Sequence, residues 1–175
     1  MKLVLPTVIY KESFLEALDE FQKEKRNDRV DYYELDSEKL RSHFASYVDK
    51  TLAQSRGEQL PEGYVSQTTY WLIDNNEFIG RVSIRHTLTK HLLEEGGHVG
   101  YDIRPSKRNM GYGKKILALA LKKTKTLGLM KVLVTCDETN IASRKIIEEN
   151  GGVLENKLKL HKDKPAKLRF WIEPI

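Results

Sequence analysis

The sequence of 175 residues contains a single cysteine, Cys136, so no disulfide can close within the chain. That suits a reducing compartment. No apolar run approaches the roughly 20 residues needed to span a bilayer. The apolar opening, Met1 to Leu5, is stopped by Pro6 and is too short for a signal peptide. A soluble, cytoplasmic protein with no membrane partner is therefore expected. DNA- and RNA-binding motifs are lacking too, so the net charge of +5 does not by itself announce a nucleic acid. An excess this mild, spread along the chain, suits a small anionic ligand as well. Internal repeats, low-complexity tracts and interdomain linkers are missing. The length then predicts one domain, residues 1–175, large enough to bury a sizeable core.

What is present is a readable succession of elements. Lys2 to Leu5 reads as a short strand, and Thr7 can cap a helix to about Lys25 with Phe14, Leu15, Leu18 and Phe21 at helical spacing. A polar stretch from Arg26 follows. A second helix is expected from Asp36 or Ser37 to Gly57, carrying Leu40, Phe44, Tyr47, Val48 and Leu52. Tyr70 to Ile73 and Phe78 to His86 pair as a hairpin about residues 74–77. Thr87 to Glu95 is a loop with a helical turn, followed by the strand His98 to Ile103. A helix, Lys114 to Leu127, precedes the buried strand Met130 to Cys136. Asn140 is a fitting N-cap for a helix closed by Gly151 and Gly152. Two strands, about 153–160 and 168–172, end the chain, joined by the basic turn His161 to Lys167. Mixed order with one hairpin and one strand–helix–strand crossover predicts an α/β (α+β) fold. Its core would be a single mixed, mostly antiparallel central sheet flanked by helices.

The chemistry concentrates between Ile103 and Lys115. A strand feeds this stretch and a helix leaves it, with Gly111 and Gly113 at the junction. Glycines there admit a ligand to the backbone. The first N–H groups of the helix lack internal partners and carry the positive end of the helix dipole. Arg104, Lys107, Arg108, Lys114 and Lys115 add cations, completing a phosphate cradle. A nucleotide P-loop is excluded, because Arg108 stands at its first glycine and Lys115 where Ser or Thr is needed. A dinucleotide fingerprint is disfavoured by bulky Ile116 at its third small position, although Asp137 could mimic the ribose acid. The remaining pattern is Arg-x-x-Gly-x-Gly, met by Arg108, Gly111 and Gly113.

With the apolar strand ending at Cys136 and Asn140-x-x-Ser143 followed by Gly151-Gly152, this pattern resembles the GNAT superfamily of acyl-CoA-dependent N-acetyltransferases. The resemblance is strongest from Gly97 to Gly152, and the element order is that of the GNAT fold. It implies acetyl-CoA as donor and no metal. Backbone N–H groups from Asn109 through Met110, Gly111, Tyr112 and Gly113 to Lys114 would hold the pyrophosphate, and Arg108 would also contribute to CoA binding. Ile103 and its neighbours would pair with the pantetheine arm, and Asn140 and Ser143 would contact the cofactor from the last helix. Arg144 or a lysine near Gly113 would approach the 3′-phosphate.

Acetylating an amine requires removing a proton from a group whose ordinary pKa is about 10.4. It also requires aiming the amine at the carbonyl, stabilising an oxyanion and protonating the leaving thiolate. The tyrosine and glutamate that many relatives use are replaced here by Ile147 and Thr135. His98 is the candidate base, and Tyr101 the candidate acid; a hydrogen-bonded structural histidine and a packed aromatic are the competing readings. Cys136, ending a buried strand, reads as a small core residue rather than a nucleophile. Glu34, Asp36 and Glu38 could attract a cationic acceptor or form a solvated acidic stretch. An acyl-CoA-binding regulatory domain is the alternative to an enzyme. The acceptor amine is not specified, and the C-terminal strands could pair across a homodimer.

Overall fold

A computed structural model describes residues 1–24 and 35–174. β1 (Lys2–Val4), β2 (Gln67–Asp74), β3 (Glu77–Arg85) and β4 (Val99–Ile103) form one antiparallel sheet in that order. β5 (Val132–Asp137), β6 (Val153–Leu158) and β7 (Lys167–Ile172) form a second, with β7 in the middle. The helices are α1 (Lys11–Lys23), α2 (Ser37–Ser42), α3 (Phe44–Ala53), α4 (Tyr112–Thr126) and α5 (Ile141–Glu149). The expected mixed α/β architecture is present, and its sheet consists of two antiparallel halves.

Alternation along the strands decides which helices cover which face. On β2, Trp71 and Ile73 point to α1 and α3, where they join Phe14, Leu18, Phe44 and Phe78. The Phe14 ring stacks on Trp71 at 4.9 Å and meets Phe78 edge-on at 5.0 Å, which fixes α1 over the sheet. Leu72 points the other way, to a core of Val82, Ile84, Ile116, Leu117, Val134 and Phe170 beneath α4. The second predicted helix is broken at His43, whose φ of −119° and ψ of 33° separate α2 from α3. Asp36 opens α2 by accepting hydrogen bonds from the N–H groups of Glu38 and Lys39, which commits one oxygen to capping. Glu34 and the polar stretch from Arg26 lie outside the described residues. Among the described residues no helix is long and apolar enough to cross a membrane.

Among the described residues, backbone hydrogen bonding joins the two half-sheets at His98. The His98 N–H donates to the Leu133 carbonyl at 2.7 Å, and the Leu133 N–H donates to the His98 ring Nδ1 at 2.9 Å. An imidazole has replaced a strand carbonyl as acceptor, and β4 and β5 do not pair as a ladder beyond it. The cleft needed for a ligand begins at this junction.

Candidate active site

The floor of the cleft is β4. The Arg85 N–H donates to the His98 carbonyl at 2.8 Å, and the Arg104 N–H to the Ile79 carbonyl at 2.8 Å. In an antiparallel pair, bonded and non-bonded positions alternate. The His98 carbonyl and positions 100, 102 and 104 therefore face β3, whereas the His98 N–H is turned to Leu133. The backbone groups of Val99, Tyr101 and Ile103 are aimed across the opening toward β5. Such an edge can accept an extended chain bearing amides. One acceptor on it is taken: the Ile103 carbonyl receives Arg108 Nε at 3.1 Å.

At the end of β4 the chain turns through Pro105–Lys107 and enters α4. Asn109 and Gly111 both have left-handed backbones, with φ of 60° and 80°. Gly111 is the N-cap of α4, and the first internal bond is from the Lys115 N–H to its carbonyl. The N–H groups ahead of Lys115 have no partner inside the helix, which leaves them to a ligand or water. The two glycines differ in role. A Cβ on Gly111 would meet nothing within 4 Å, whereas one on Gly113 would meet Ile146 Cδ1 at 2.5 Å. Gly111 serves conformation and access; Gly113 lets α4 approach α5.

The cations that the sequence places at this turn do not project together as a positive patch. Arg104, with 8% of its side chain exposed, binds Glu20 at 2.7 Å, Glu77 at 3.0 Å and Glu16 at 3.4 Å. Lys107 binds Glu77 at 2.7 Å, Arg108 pairs with Glu24, and Lys114 reaches Glu149 at 3.2 Å. Glu20 also accepts the Ser106 N–H and hydroxyl, each at 3.0 Å. Glu16, Glu20 and Glu24 recur every fourth residue and so lie on one face of the α1 end. Burial alone would raise the Glu20 carboxyl. The Ser106 N–H, Arg104 and the Ser106 hydroxyl more than offset this and hold it below the usual carboxylate range. Arg104, Lys107 and Arg108 are thus engaged in holding the loop's shape, which leaves the backbone N–H groups and the helix dipole, with Lys114 and Lys115 at the start of α4, as its attraction for an anion.

The opposite wall is the start of α5. Asn140 Oδ1 accepts the Ser143 N–H at 3.0 Å, as an N-cap does. The Ser143 hydroxyl is 3.0 Å from the Tyr101 hydroxyl, bridging β4 and α5. Beside this pair is a polar cavity of about 180 Å³ bordered by Glu95, Thr135, Cys136, Asn140 and Ser143. Asp137 and Lys167 complete it, bound to each other at 2.6 Å. A larger, mostly apolar cavity of about 780 Å³ lies elsewhere, between α4 and the β6–β7 sheet, and none of the loop residues borders it.

His98 is placed differently from Tyr101. Its Nδ1 lone pair is occupied by the Leu133 N–H, so in the neutral ring Nε2 carries the proton and no lone pair is left to take one from an amine. Burial and the nearby Arg85 push its pKa below the ordinary value. The unfolded chain then binds this proton more readily than the folded one, so stability falls as pH drops below about 6.5. Urea midpoints should decline between about pH 7.5 and 5.5. His98→Asn, whose Oδ1 can accept the same N–H, should decline less. Ile147, fully buried against the core, has no access to the cleft. Two residues of the site escaped sequence reasoning: Glu95, and His161, whose Nε2 lies 2.8 Å from Glu95 Oε1. Among the described residues no cluster of side chains could hold a metal ion.

This geometry, an opened β4 edge leading to a helix N-terminus, is that of an acyl-CoA acyltransferase. The chain belongs to the acetyltransferase (GNAT) domain family, whose profile matches residues 18–153. It is thereby an enzyme of the acetyl-CoA-dependent N-acetyltransferase class. No curated protein matches the sequence significantly. Solved structures share the fold at low identity. The ribosomal-protein alpha-N-acetyltransferase RimL, in complex with coenzyme A, superposes with a TM-score of 0.70 at 17% identity over 98% of this chain and 92% of its own. The microcin self-immunity acetyltransferase MccE, with acetyl-CoA and AMP, gives 0.71 at 12% identity over 98% and 91%. A variant of the spermidine N-acetyltransferase SpeG from Vibrio cholerae gives 0.65 at 15% identity over 99% and 95%.

Proposed function

We propose that the protein transfers the acetyl group of acetyl-CoA to a primary amine by direct attack within a ternary complex. The observation that carries this reading is the continuity of the open β4 edge with the N–H groups of the Gly111 turn. A pantetheine arm can lie along Val99, Tyr101 and Ile103 while its pyrophosphate reaches the backbone of residues 109–114. Arg108 contributes by bracing the loop through Glu24 and the Ile103 carbonyl. Asn140 and Ser143 border the reacting end. Tyr101, which shares a hydrogen bond with Ser143, serves in this reading as the proton donor to the thiolate. His98 holds the two half-sheets at the junction where the cleft begins.

Direct attack is favoured over an acyl-enzyme by the state of Cys136. Burial, with Asp137 nearby, raises its thiol to about 11, so little thiolate exists at neutral pH. Cys136→Ala should therefore keep acetyl transfer within about threefold of the parent. Loss of turnover in that variant, with acetyl-CoA binding intact, would favour a covalent route.

The relatives act on different amines, a ribosomal-protein α-amine for RimL and spermidine for SpeG. Incubating the protein with acetyl-CoA, spermidine and a short peptide with a free N-terminal serine, then reading acceptor mass, tests the reading. An acetylated product together with CoA release is expected. Tight acetyl-CoA binding with neither acetylated amine nor CoA release would instead support a regulatory acyl-CoA-binding domain.

A further inference from the structure

Glu95 occupies an unusual stretch of backbone. Leu92–Gly96 forms a single π turn, closed by the Gly97 N–H donating to the Leu92 carbonyl at 2.6 Å. Such turns recur at functional sites because they redirect one side chain without breaking the chain. The turn is held from two sides. Arg85 donates to the Gly96 and Gly97 carbonyls at 3.1 and 3.0 Å, and the Thr135 hydroxyl donates to the Glu95 carbonyl at 2.7 Å. Thr135 stands where a catalytic glutamate would be sought on β5. A glutamate from another segment has been brought beside it.

Glu95 borders the cavity that Ser143 and Cys136 also line, and its carboxylate is held by His161. Only 19% of its side chain is exposed, while its partner His161 on the β6–β7 turn is 50% exposed. Asp137 and Lys167 neutralise each other across the same cavity. Its remaining negative charge belongs to Glu95.

We propose that Glu95 receives the protonated amine of the acceptor, and that the Glu95–His161 pair takes its proton and releases it to solvent. The substrate class is then a cationic primary amine, the group that an ionised carboxylate at the border of this polar cavity would receive. This deepens the acetyl-transfer reading and rests on it. In the step, the ammonium gives one proton to the pair and becomes a neutral amine. Its lone pair forms the C–N bond at the thioester carbonyl. The C–S bond breaks with its electrons on sulfur, and the thiolate takes a proton from the Tyr101–Ser143 pair. The extra proton on nitrogen replaces that one, so a single proton leaves through the half-exposed imidazole. Charged and titratable groups acting on Glu95 are His161, Lys167 and His91, and their hydrogen bond and fields keep it ionised. An ionised carboxylate is suited to binding an ammonium, and the adjoining, half-exposed imidazole connects it to solvent.

The test compares the parent with Glu95→Gln and His161→Asn, using spermidine and the serine peptide as acceptors. Glu95→Gln should lower kcat/KM for the amine by about 100-fold or more, the usual scale for a lost base. Its acetyl-CoA affinity and thermal midpoint should match the parent. Raising pH should recover part of the activity, because more acceptor is then neutral. His161→Asn should lose about 10-fold with the amine KM little changed. A Glu95→Gln rate within threefold of an active parent would overturn the assignment. A parent that does not bind acetyl-CoA, or binds it and acetylates neither amine, would instead overturn the acetyl-transfer reading, which separates the two failures.

Discussion

Gly111→Val should lower acetyl-CoA affinity by about 100-fold or more, equivalent to about 2.8 kcal/mol, while leaving the rest of the fold in place. The backbone at Gly111 has φ of 80° and ψ of 0°, a region that a β-branched residue enters only at a cost of about 1–2 kcal/mol. A Cβ at this position meets nothing of the surrounding protein within 4 Å, so the added carbon itself causes no clash there. Two consequences remain. Either the turn relaxes and its N–H groups lose their arrangement, or the side chain stands where the pyrophosphate must approach. Asn tolerates the left-handed region, so Gly111→Asn separates them: it should keep the turn and lose less affinity. Calorimetric titration and thermal unfolding of both variants check the prediction.

Arg104→Met should destabilise the protein by about 2–3 kcal/mol and weaken acetyl-CoA binding as well. Removing one partner of a buried ion pair leaves the other uncompensated, a loss of about 3–5 kcal/mol when both are buried. Here the carboxylates of Glu16, Glu20 and Glu77 retain partial access to water, which reduces the figure. The effect reaches the cofactor because Glu20 also binds Ser106, at the head of the Gly111 loop. The pH dependence has a definite sign. Glu20 has a depressed pKa in the folded state, so its contribution is present above its ordinary value of 4.5 and is lost as pH falls through the folded pKa. Urea unfolding should show the parent losing stability below about pH 4.5 more steeply than Arg104→Met, which has already lost the interaction.

The parts of this architecture that were legible in the sequence are those written in local patterns. Phe14, Leu15, Leu18 and Phe21 mark the buried face of α1 by spacing alone, and all four are buried. Asn140 announces α5 as an N-cap, and Asp36 does the same for α2. Gly111 opens α4 where the glycine pattern placed a helix start. What stayed hidden depends on partners distant in the chain. Arg104 and Arg108 read as cations at a phosphate turn. Their engagement by Glu20 and Glu24, each 84 residues away, is visible only once aromatic packing has set α1 over the loop.

His98 illustrates a second limit. Strand alternation could place it on a face of β4, but it could not reveal that its imidazole substitutes for a backbone acceptor of Leu133. Glu95 illustrates a third. It ends a segment with no apolar period, its π turn has no sequence signature, and His161 joins it from 66 residues further on. Patterns of residue type report which elements form; the pairing of side chains across elements requires the packed structure.

The most direct test of the central claim is calorimetric titration of acetyl-CoA into the parent protein, with CoA and NAD titrated alongside. Micromolar binding of acetyl-CoA and CoA is predicted, with none for NAD and a sharp loss of affinity in Gly111→Val. Absence of heat and of a thermal shift with acetyl-CoA, in a protein that is otherwise folded, would contradict the account.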